Sequence, residues 1–274
     1  MKKACYGLKQ APREWWKKLH KFLLEQGFKA NKSDICFYVL HVAGGVVLLL
    51  LYVDDLLFAA TTVELLHRYS SLVSKAFLVS SEGPLTSYLG FDLEIDLRAH
   101  RVLLLMQRFM EKVFKRFKLV AKQSVKTPLP ENFQAALEDA EAADDRFVED
   151  FQYREKIGCI LYYMICMRPD ISFAVGLLAR CSNKVSRVAC AGVTQLLQYC
   201  YNTRHLHLVL GGRRATITAY CDSDWAGDRE TRKSTGAYIV YLGTGPVEWA
   251  SKLQRLPAQS SAEAEFIALN APAK

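Results

Sequence analysis

The chain has 274 residues, of which 51% are apolar, so it is long enough to bury a core and to hold more than one packing unit. Its formal net charge of +8, from 36 Lys and Arg against 28 acids, suits a polyanionic partner. The apolar run over residues 46–53 is far shorter than the ~20 residues of a membrane span, and no signal-peptide pattern opens the chain. We therefore expect neither a membrane protein nor a secreted one.

The chain contains eight cysteines, and none of them form a C-x-x-C pair. Most lie in apolar segments, where a free thiol behaves as a small hydrophobic group. This distribution predicts reduced thiols in the cytosol or nucleus and no zinc site.

The first third of the chain alternates between helical and strand patterns. Apolar residues at helical spacing predict a helix from Arg13 to Phe28, with Gly27 at its end. The apolar stretches "SDICFYVLH", "GGVVLLLLYV" and "LLFAA" predict short strands, and Asp54 and Asp55 then lie at the tip of a β-hairpin. A second helix is predicted over residues 63–77.

The remainder of the chain divides into four segments. After residue 84, "SYLGFDLEIDLRAHRVLLLMQ" predicts a strand pair, and "RFMEKVFKRFKL" predicts a basic amphipathic helix. The acidic stretch 128–150 breaks the pattern and predicts a linker. Residues 151–202 have a helical pattern, and three predicted strands followed by a helix begin at Ala215.

The adjacent acids Asp54 and Asp55 have two interpretations. Asp is common in turns, because its side chain can accept hydrogen bonds from nearby backbone amides. The flanking strands are apolar, however, and adjacent carboxylates on buried strands repel unless one is protonated or a cation lies between them. Carboxylate oxygens suit Mg²⁺, and paired Mg²⁺ ions stabilise the attacking and leaving oxygens of phosphoryl transfer.

Several motifs, in order along the chain, resemble one family. "YVDD" is similar to the metal-binding hairpin of reverse transcriptases, and "YGLKQAPREWW" is similar to the segment before it in copia-type LTR retrotransposon polymerases. "YLGFDLEI" resembles the primer-contacting strand pair of that family, and "VKTPL" resembles the end of its polymerase part. "YREKIGCILYYMICMRPDISFAV" resembles the segment that joins the polymerase to ribonuclease H.

This resemblance to a copia-type Pol polyprotein implies an α/β (α+β) fold and four regions. Residues 1–127 would form a partial polymerase palm with the catalytic β-hairpin and the primer-contact region. Residues 128–150 would be a linker, and residues 151–212 a helical connection. Residues 213–274 would form an incomplete, mixed-sheet ribonuclease H-like domain.

The resemblance also implies a polymerase site. Asp54 would be the primary metal ligand and Asp55 its neighbour, with Mg²⁺ as the metal or Mn²⁺ in its place. Lys9, Gln10 and Arg13 near the first helix, together with Gly90 in the strand pair, would bind nucleic acid or nucleotide. The implied partners are an RNA template, a DNA primer, the RNA/DNA hybrid and dNTPs, in a cytoplasmic virus-like particle or in the nucleus. The oligomeric state stays open.

A second set of acids follows in "YCDSDWAGD" and "SSAEAEF". Strand alternation predicts Asp222 and Asp224 on one face of a strand. By resemblance to copia-type ribonuclease H, Asp222 would be the first-strand acid and Glu263 the helix acid, with Glu265 as the alternative. Ser260-x-x-Glu263 also matches a capping box, in which Glu263 closes back on the start of the helix. Asp224 and Asp228 fit turn or surface positions equally well.

The family pattern is incomplete in this chain. The third polymerase carboxylate would precede "YGLKQAP", and the later ribonuclease H acids would follow Lys274. We therefore expect a piece of a Pol polyprotein that lacks both activities on its own. Two alternatives stay open: a nucleic-acid-binding relic without catalysis, favoured by the basic helices, and a structural protein that does not bind nucleic acid.

Overall fold

The computed structural model describes residues 9–77, 79–80, 83–142, 151–212 and 215–273. These residues form a mixed α/β structure with antiparallel sheets and several helices. The chain divides into two compact units, Met1–Pro84 and Leu85–Lys274. Each unit has a hydrophobic core of its own.

The first unit packs two helices on a four-stranded antiparallel sheet with the strand order β1-β2-β3-β4. Its elements are α1 (Ala11–Glu25), β1 (Lys29–Ala30), β2 (Phe37–Val42), β3 (Gly45–Tyr52), β4 (Asp55–Ala60) and α2 (Val63–Phe77). Gly27, predicted to close the first helix, has φ +89° just after α1, a conformation that favours glycine.

Alternation along β3 builds the core of the first unit. Val47, Leu49 and Leu51 are buried, whereas the residues between them are only partly so, as expected for a strand with one face on a core. Leu19 and Leu23 of α1, four residues apart and therefore on one helix face, are fully buried in the same cluster. The apolar strands are thus held by contacts on one side of the hairpin.

The second unit contains two further antiparallel sheets, with the orders β5-β6-β7-β8 and β11-β10-β9. Its strands are β5 (Ser87–Tyr88), β6 (Phe91–Asp96), β7 (Arg101–Leu105), β8 (Leu208–Gly211), β9 (Ile217–Ser223), β10 (Thr235–Leu242) and β11 (Gly245–Leu253). Its helices are α3 (Gln107–Arg116), α4 (Phe133–Ala142), α5 (Tyr153–Met167), α6 (Ser172–Arg180), α7 (Arg187–Asn202) and α8 (Ser261–Leu269).

Part of the segment predicted to be a linker is helical. Within residues 128–150, α4 buries Phe133 and Leu137, which lie four residues apart on one face of the helix. Gly192 of α7 makes room for this contact, because a Cβ there would lie 2.3 Å from the Phe133 ring. Residues 143–150 of the predicted linker lie outside the described residues.

One strand pairing joins distant parts of the sequence. β8 pairs with β7, so the hairpin that resembles the primer-contacting strands shares a sheet with a strand beyond α7. The boundary between the compact units lies after Pro84. The regions inferred from the motifs have their boundaries at residues 127 and 150 instead.

A buried arginine links α5 to α7. Arg168 is 3% exposed and donates to both carboxylate oxygens of Asp170, at 2.8 and 2.7 Å. It also donates to the hydroxyls of Tyr163 and Thr203, and the Tyr199 hydroxyl donates to Asp170 at 2.9 Å. The Arg168 charge is thus paired and hydrogen-bonded, as a buried ion requires.

The seven described cysteines are free thiols, and Cys5 lies outside the described residues. Cys181, Cys190 and Cys200 are buried, and burial raises the pKa of the Cys200 thiol to about 12. Within the described part of the chain, no helix has both the length and the apolar content to cross a bilayer.

Candidate functional site

The two acids lie where the sequence predicts them, at the tip of the β3–β4 hairpin. Tyr52 pairs with Asp55, so Val53 and Asp54 are the two central residues of the turn. We call residues 52–55 the acid turn. Val53 has φ +52°, in the left-handed region that a β-branched residue rarely adopts.

The expectation that the two carboxylates lie on buried strands is wrong. Asp54, Asp55 and both preceding residues are exposed, because burial along β3 ends at Leu51. Water screens the repulsion between exposed carboxylates, so charge alone does not demand a cation here. The same exposure leaves the carboxylate oxygens open to a ligand.

Neither carboxylate is engaged within the described part of the chain. No described residue donates a hydrogen bond to the side chain of Asp54 or Asp55, or forms a salt bridge with either. Their oxygens are hard donors of the type that Mg²⁺ prefers, and Mg²⁺ is commonly held by one or two carboxylates together with water and substrate phosphates. The pair therefore fits part of such a site. Among the described residues, no group of three or more His, Cys, Asp or Glu side chains could hold a metal ion.

Helix α1 reaches the acid turn through one side chain. The indole N–H of Trp15 donates to the carbonyl of Val53 at 3.0 Å, across 38 residues of sequence. Sequence reasoning missed this role, because helical periodicity does not show which residue of the helix lies near the hairpin. The available signal was the pair of adjacent tryptophans in "REWW".

The three predicted nucleic-acid contacts near α1 are all exposed. Lys9 and Gln10 precede the helix, and Arg13 lies in its first turn. Gln10 occupies the N-cap position but forms no side-chain capping hydrogen bond. Its side-chain amide is therefore not used to cap the helix. These side chains are accessible to a polyanion.

Gly90 lies in the second unit, in a two-residue turn between β5 and β6. Leu89 and Gly90 both have positive φ, +49° and +88°, as in the tight hairpin turns that favour glycine. The hydroxyl of Tyr162 on α5 donates to the Leu89 carbonyl at 3.2 Å, which ties this turn to the helix. Asp92 on β6 forms an ion pair with Arg108 of α3. Gly90 therefore has a structural role, because it adopts the positive φ that this turn requires.

The second set of acids is divided between strand and turn. Asp222 lies on β9 and is exposed. Asp224, predicted to share its strand face, directly follows the last residue of β9, Ser223, and its amide donates to the Thr235 carbonyl at 3.2 Å. Asp224 also accepts a hydrogen bond from the Thr235 amide at 2.6 Å and closes the turn before β10. Asp228 accepts hydrogen bonds from the amide and hydroxyl of Thr231, as a turn residue does.

Glu263 forms a cap at the start of α8. The Ser260 hydroxyl accepts a hydrogen bond from the Glu263 amide at 3.1 Å, and the Glu263 carboxylate accepts one from the Gln259 amide at 2.7 Å. The contact therefore reaches the residue before the N-cap, one position earlier than in a standard capping box. Glu265 is exposed on the same helix, and α8 packs against β9 and β10.

The second unit also carries a basic surface. On α3, Met110, Val113 and Phe114 are buried, whereas Lys112 and Lys115 are exposed. Arg116 is also exposed but forms an ion pair with Glu155 at 2.5 Å. The helix is therefore amphipathic, as predicted, with cations along its solvent side.

Comparisons with known proteins agree with these features. Residues 1–131 match the reverse transcriptase (RNA-dependent DNA polymerase) family model RVT_2. The chain is 31% identical, over 98% of its length, to the retrovirus-related Pol polyprotein from transposon TNT 1-94 of Nicotiana tabacum, and covers 20% of that protein. It is 33% identical, over 97% of its length, to the Pol polyprotein from transposon RE1 of Arabidopsis thaliana, and covers 18% of it.

A shorter relative is matched over most of its own length. The chain is 27% identical, over 96% of its length, to the putative transposon Ty5-1 protein of Saccharomyces cerevisiae, and covers 84% of it. No solved structure matches the chain.

The matched region defines a chain with a reverse transcriptase domain. The chain belongs to the Pol polyproteins of copia-type retrotransposons, and it spans about a fifth of the length of the first two relatives.

Proposed function

We propose that this chain supplies the metal-binding hairpin of an RNA-directed DNA polymerase and the first part of a ribonuclease H. The observation that carries the polymerase proposal is the acid turn, where two adjacent carboxylates are exposed and unengaged at the tip of an apolar hairpin. No described residue donates a hydrogen bond to either carboxylate or forms an ion pair with it, so the described part of the fold gives the pair no structural role. Binding of a ligand, rather than stabilisation of the fold, accounts for the presence of the two acids.

In the proposed site, Asp54 is the primary ligand of Mg²⁺, or of Mn²⁺ in its place, and Asp55 is its neighbour. When bound, the metal would activate the primer 3′ hydroxyl and neutralise charge at the α-phosphate of a dNTP. Lys9 and Arg13 supply positive charge to template or nucleotide phosphates, and the Gln10 amide can both donate and accept hydrogen bonds. Gly90 lets the DNA primer approach the β5–β6 turn without a side chain in the way.

The ribonuclease H proposal rests on residues 215–273, where three antiparallel strands are followed by a helix that packs on β9 and β10. Asp222 is the proposed first-strand ligand for cleavage of RNA in an RNA/DNA hybrid. Glu263 is the proposed helix ligand, but it must give up its hydrogen bond to the Gln259 amide to bind metal. Glu265 needs no such exchange and is the alternative.

A second candidate function is nucleic-acid binding without catalysis, in a cytoplasmic virus-like particle or in the nucleus. The exposed lysines of α3 and the exposed Arg13 of α1 favour it. Phosphate contacts of this kind release counterions, so the affinity falls steeply as salt rises.

The two functions are separated by measuring binding and synthesis on one sample. Fluorescence anisotropy with a primed RNA template, from low to physiological salt, reports binding. Extension of the primer with dNTPs and Mg²⁺ reports catalysis, in the unsubstituted chain, in Asp54→Asn, and in Glu25→Gln as a control for the loss of one exposed acid.

The enzyme proposal predicts extension that Asp54→Asn abolishes and Glu25→Gln preserves. Binding with a steep salt dependence but without extension contradicts catalysis by this chain and favours the second function. Absence of binding even at low salt contradicts both functions and favours a structural role.

A further inference from the structure

The hydrogen bond from Trp15 to Val53 connects helix α1 to the residue just before the acid pair. The indole Nε1 lies 3.0 Å from the Val53 carbonyl oxygen. Among the described residues, this indole is the one hydrogen-bond donor from outside the hairpin that reaches the acid turn. The contact therefore acts on the backbone that directs Asp54 and Asp55.

Apart from the pairing of Tyr52 with Asp55, the described residues offer the acid turn few other restraints. Tyr52 and Val53 are 55% and 52% exposed, so burial of their side chains does not anchor the turn. Val53 also has φ +52°, whereas hairpin turns with a positive φ at the first central residue favour glycine there. Strained backbone persists only where surrounding contacts over-determine it.

Trp15 is itself well anchored. Its ring packs edge-to-face on Phe77 at the end of α2, with the ring centroids 5.2 Å apart. Phe22 of α1 packs on the same Phe77 ring at 5.1 Å. The indole N–H is thus held at the junction of two helices that belong to the core of the first unit.

From this arrangement we propose that Trp15 is a positioning residue for the acid turn. Its N–H fixes the Val53 carbonyl, and this contact fixes the backbone from which the Asp54 and Asp55 carboxylates project toward a divalent cation. The part that concerns the cation rests on the proposed function, whereas the restraint of the turn does not.

The test compares three substitutions in the full chain. Trp15→Phe keeps an aromatic ring against Phe77 and removes the N–H. Benzothienylalanine at position 15 keeps the bicyclic shape and also lacks the N–H, so it serves if Trp15→Phe fails to fold. Trp16→Phe is the matched control, since among the described residues the indole that donates to the acid turn is that of Trp15 and not that of Trp16.

Two readouts are needed. Hydrogen exchange of the peptide that spans the acid turn, measured without metal, reports the restraint directly. Both position-15 substitutions should speed this exchange about fivefold, as expected for loss of one neutral hydrogen bond, whereas Trp16→Phe should not. Electron paramagnetic resonance of free Mn²⁺ reports binding, and the position-15 substitutions should weaken it about threefold or more.

The outcomes distinguish this inference from the proposed function. Faster exchange in the turn with no Mn²⁺ binding, even by the unsubstituted chain, supports the restraint by Trp15 and contradicts the metal site. If the acid turn exchanges at the same rate in the position-15 variants as in Trp16→Phe, the inference is overturned, whether or not Mn²⁺ binds. If none of the substitutions changes Mn²⁺ binding, the proposal that Trp15 positions the Asp54 and Asp55 carboxylates for a cation is overturned.

Discussion

At the scale of single residues, the positions of the acids were predictable and their environment was not. The interruption of an apolar run by Asp54 and Asp55 was enough to indicate a hairpin tip. The exposure of both acids depends on where burial along β3 ends. The hydrogen bond from Trp15 to the left-handed Val53 depends on where α1 packs, which local sequence does not encode. Glu263 is the opposite case, because its capping role could be read from the local spacing of Ser260 and Glu263.

Replacing Val53 with glycine tests whether strain is stored in the acid turn. Val53→Gly should raise the free energy of unfolding by about 0.5–1 kcal/mol, because glycine adopts φ +52° without a steric penalty but loses more backbone entropy on folding. Val53→Ala, which keeps the positive φ of a non-glycine residue, should give no such gain. Urea denaturation measures both, and a destabilised Val53→Gly would contradict the interpretation.

Substitutions at Glu263 test its capping role at the start of α8. Glu263→Gln keeps an acceptor for the Gln259 amide, so the free energy of unfolding should change by less than about 0.5 kcal/mol. Glu263→Ala removes that acceptor and should cost about 1 kcal/mol. Thermal denaturation measures the difference. Equal stability of the two variants would show that the cap contributes little.

At the scale of elements, periodicity predicted most of the helices and strands. The helix predicted over residues 63–77 matches α2, and the predicted strand pair after residue 84 corresponds to β6 and β7. Helix α4 was missed, because its acidic composition hid the apolar pair Phe133 and Leu137 that packs on α7. The Arg168 network was also missed, since its partners Tyr163, Tyr199 and Thr203 lie on two different helices or at their ends.

The buried pair of Arg168 and Asp170 gives a stability prediction that depends on pH. Burial raises the pKa of Asp170, but the hydrogen bonds and charge of Arg168 outweigh burial and hold it below its ordinary value of 3.8. The ionised form therefore stabilises the fold above pH ~4, and this contribution is lost as pH falls through the lower folded-state pKa.

Asp170→Asn should lower the free energy of unfolding at pH 7 by about 2 kcal/mol. This is below the usual cost of breaking a buried pair, because the Asp170 side chain is 40% exposed. The difference from the unsubstituted chain should shrink as pH falls below the ordinary value of 3.8 and toward the lower folded-state pKa of Asp170. Asp139→Asn, which removes an exposed acid on α4, is the control. A difference that stays constant from pH 7 to pH 3 would contradict the assignment.

At the scale of the whole molecule, the chain order of motifs indicated several regions but not the compact units. The pairing of β7 with β8 spans more than a hundred residues, and no local pattern in either strand specifies its partner. The division after Pro84 follows from the two separate hydrophobic clusters. These clusters depend on tertiary contacts that sequence periodicity does not show.

The two cores should respond separately to cavity mutations. Leu49 and Leu196 are both fully buried, one in each core, so Leu→Ala at either site should cost about 3 kcal/mol. Leu49→Ala should speed amide exchange within residues 9–77 and leave α5 and α7 protected. Leu196→Ala should do the reverse. Faster exchange throughout the chain in both variants would mean that the units unfold together.

Cleavage by bound iron is the measurement that tests whether the acid turn binds a divalent cation. Fe²⁺ held in place of Mg²⁺ reduces added hydrogen peroxide to hydroxide and a hydroxyl radical, and ascorbate returns the resulting Fe³⁺ to Fe²⁺. The radicals cut the nearby main chain, and the fragments identify the binding residues. We expect a cut at the acid turn that excess Mg²⁺ suppresses, that Asp54→Asn abolishes and that Glu25→Gln leaves intact. Cuts that fall elsewhere, or that persist in Asp54→Asn, would contradict cation binding at the acid turn.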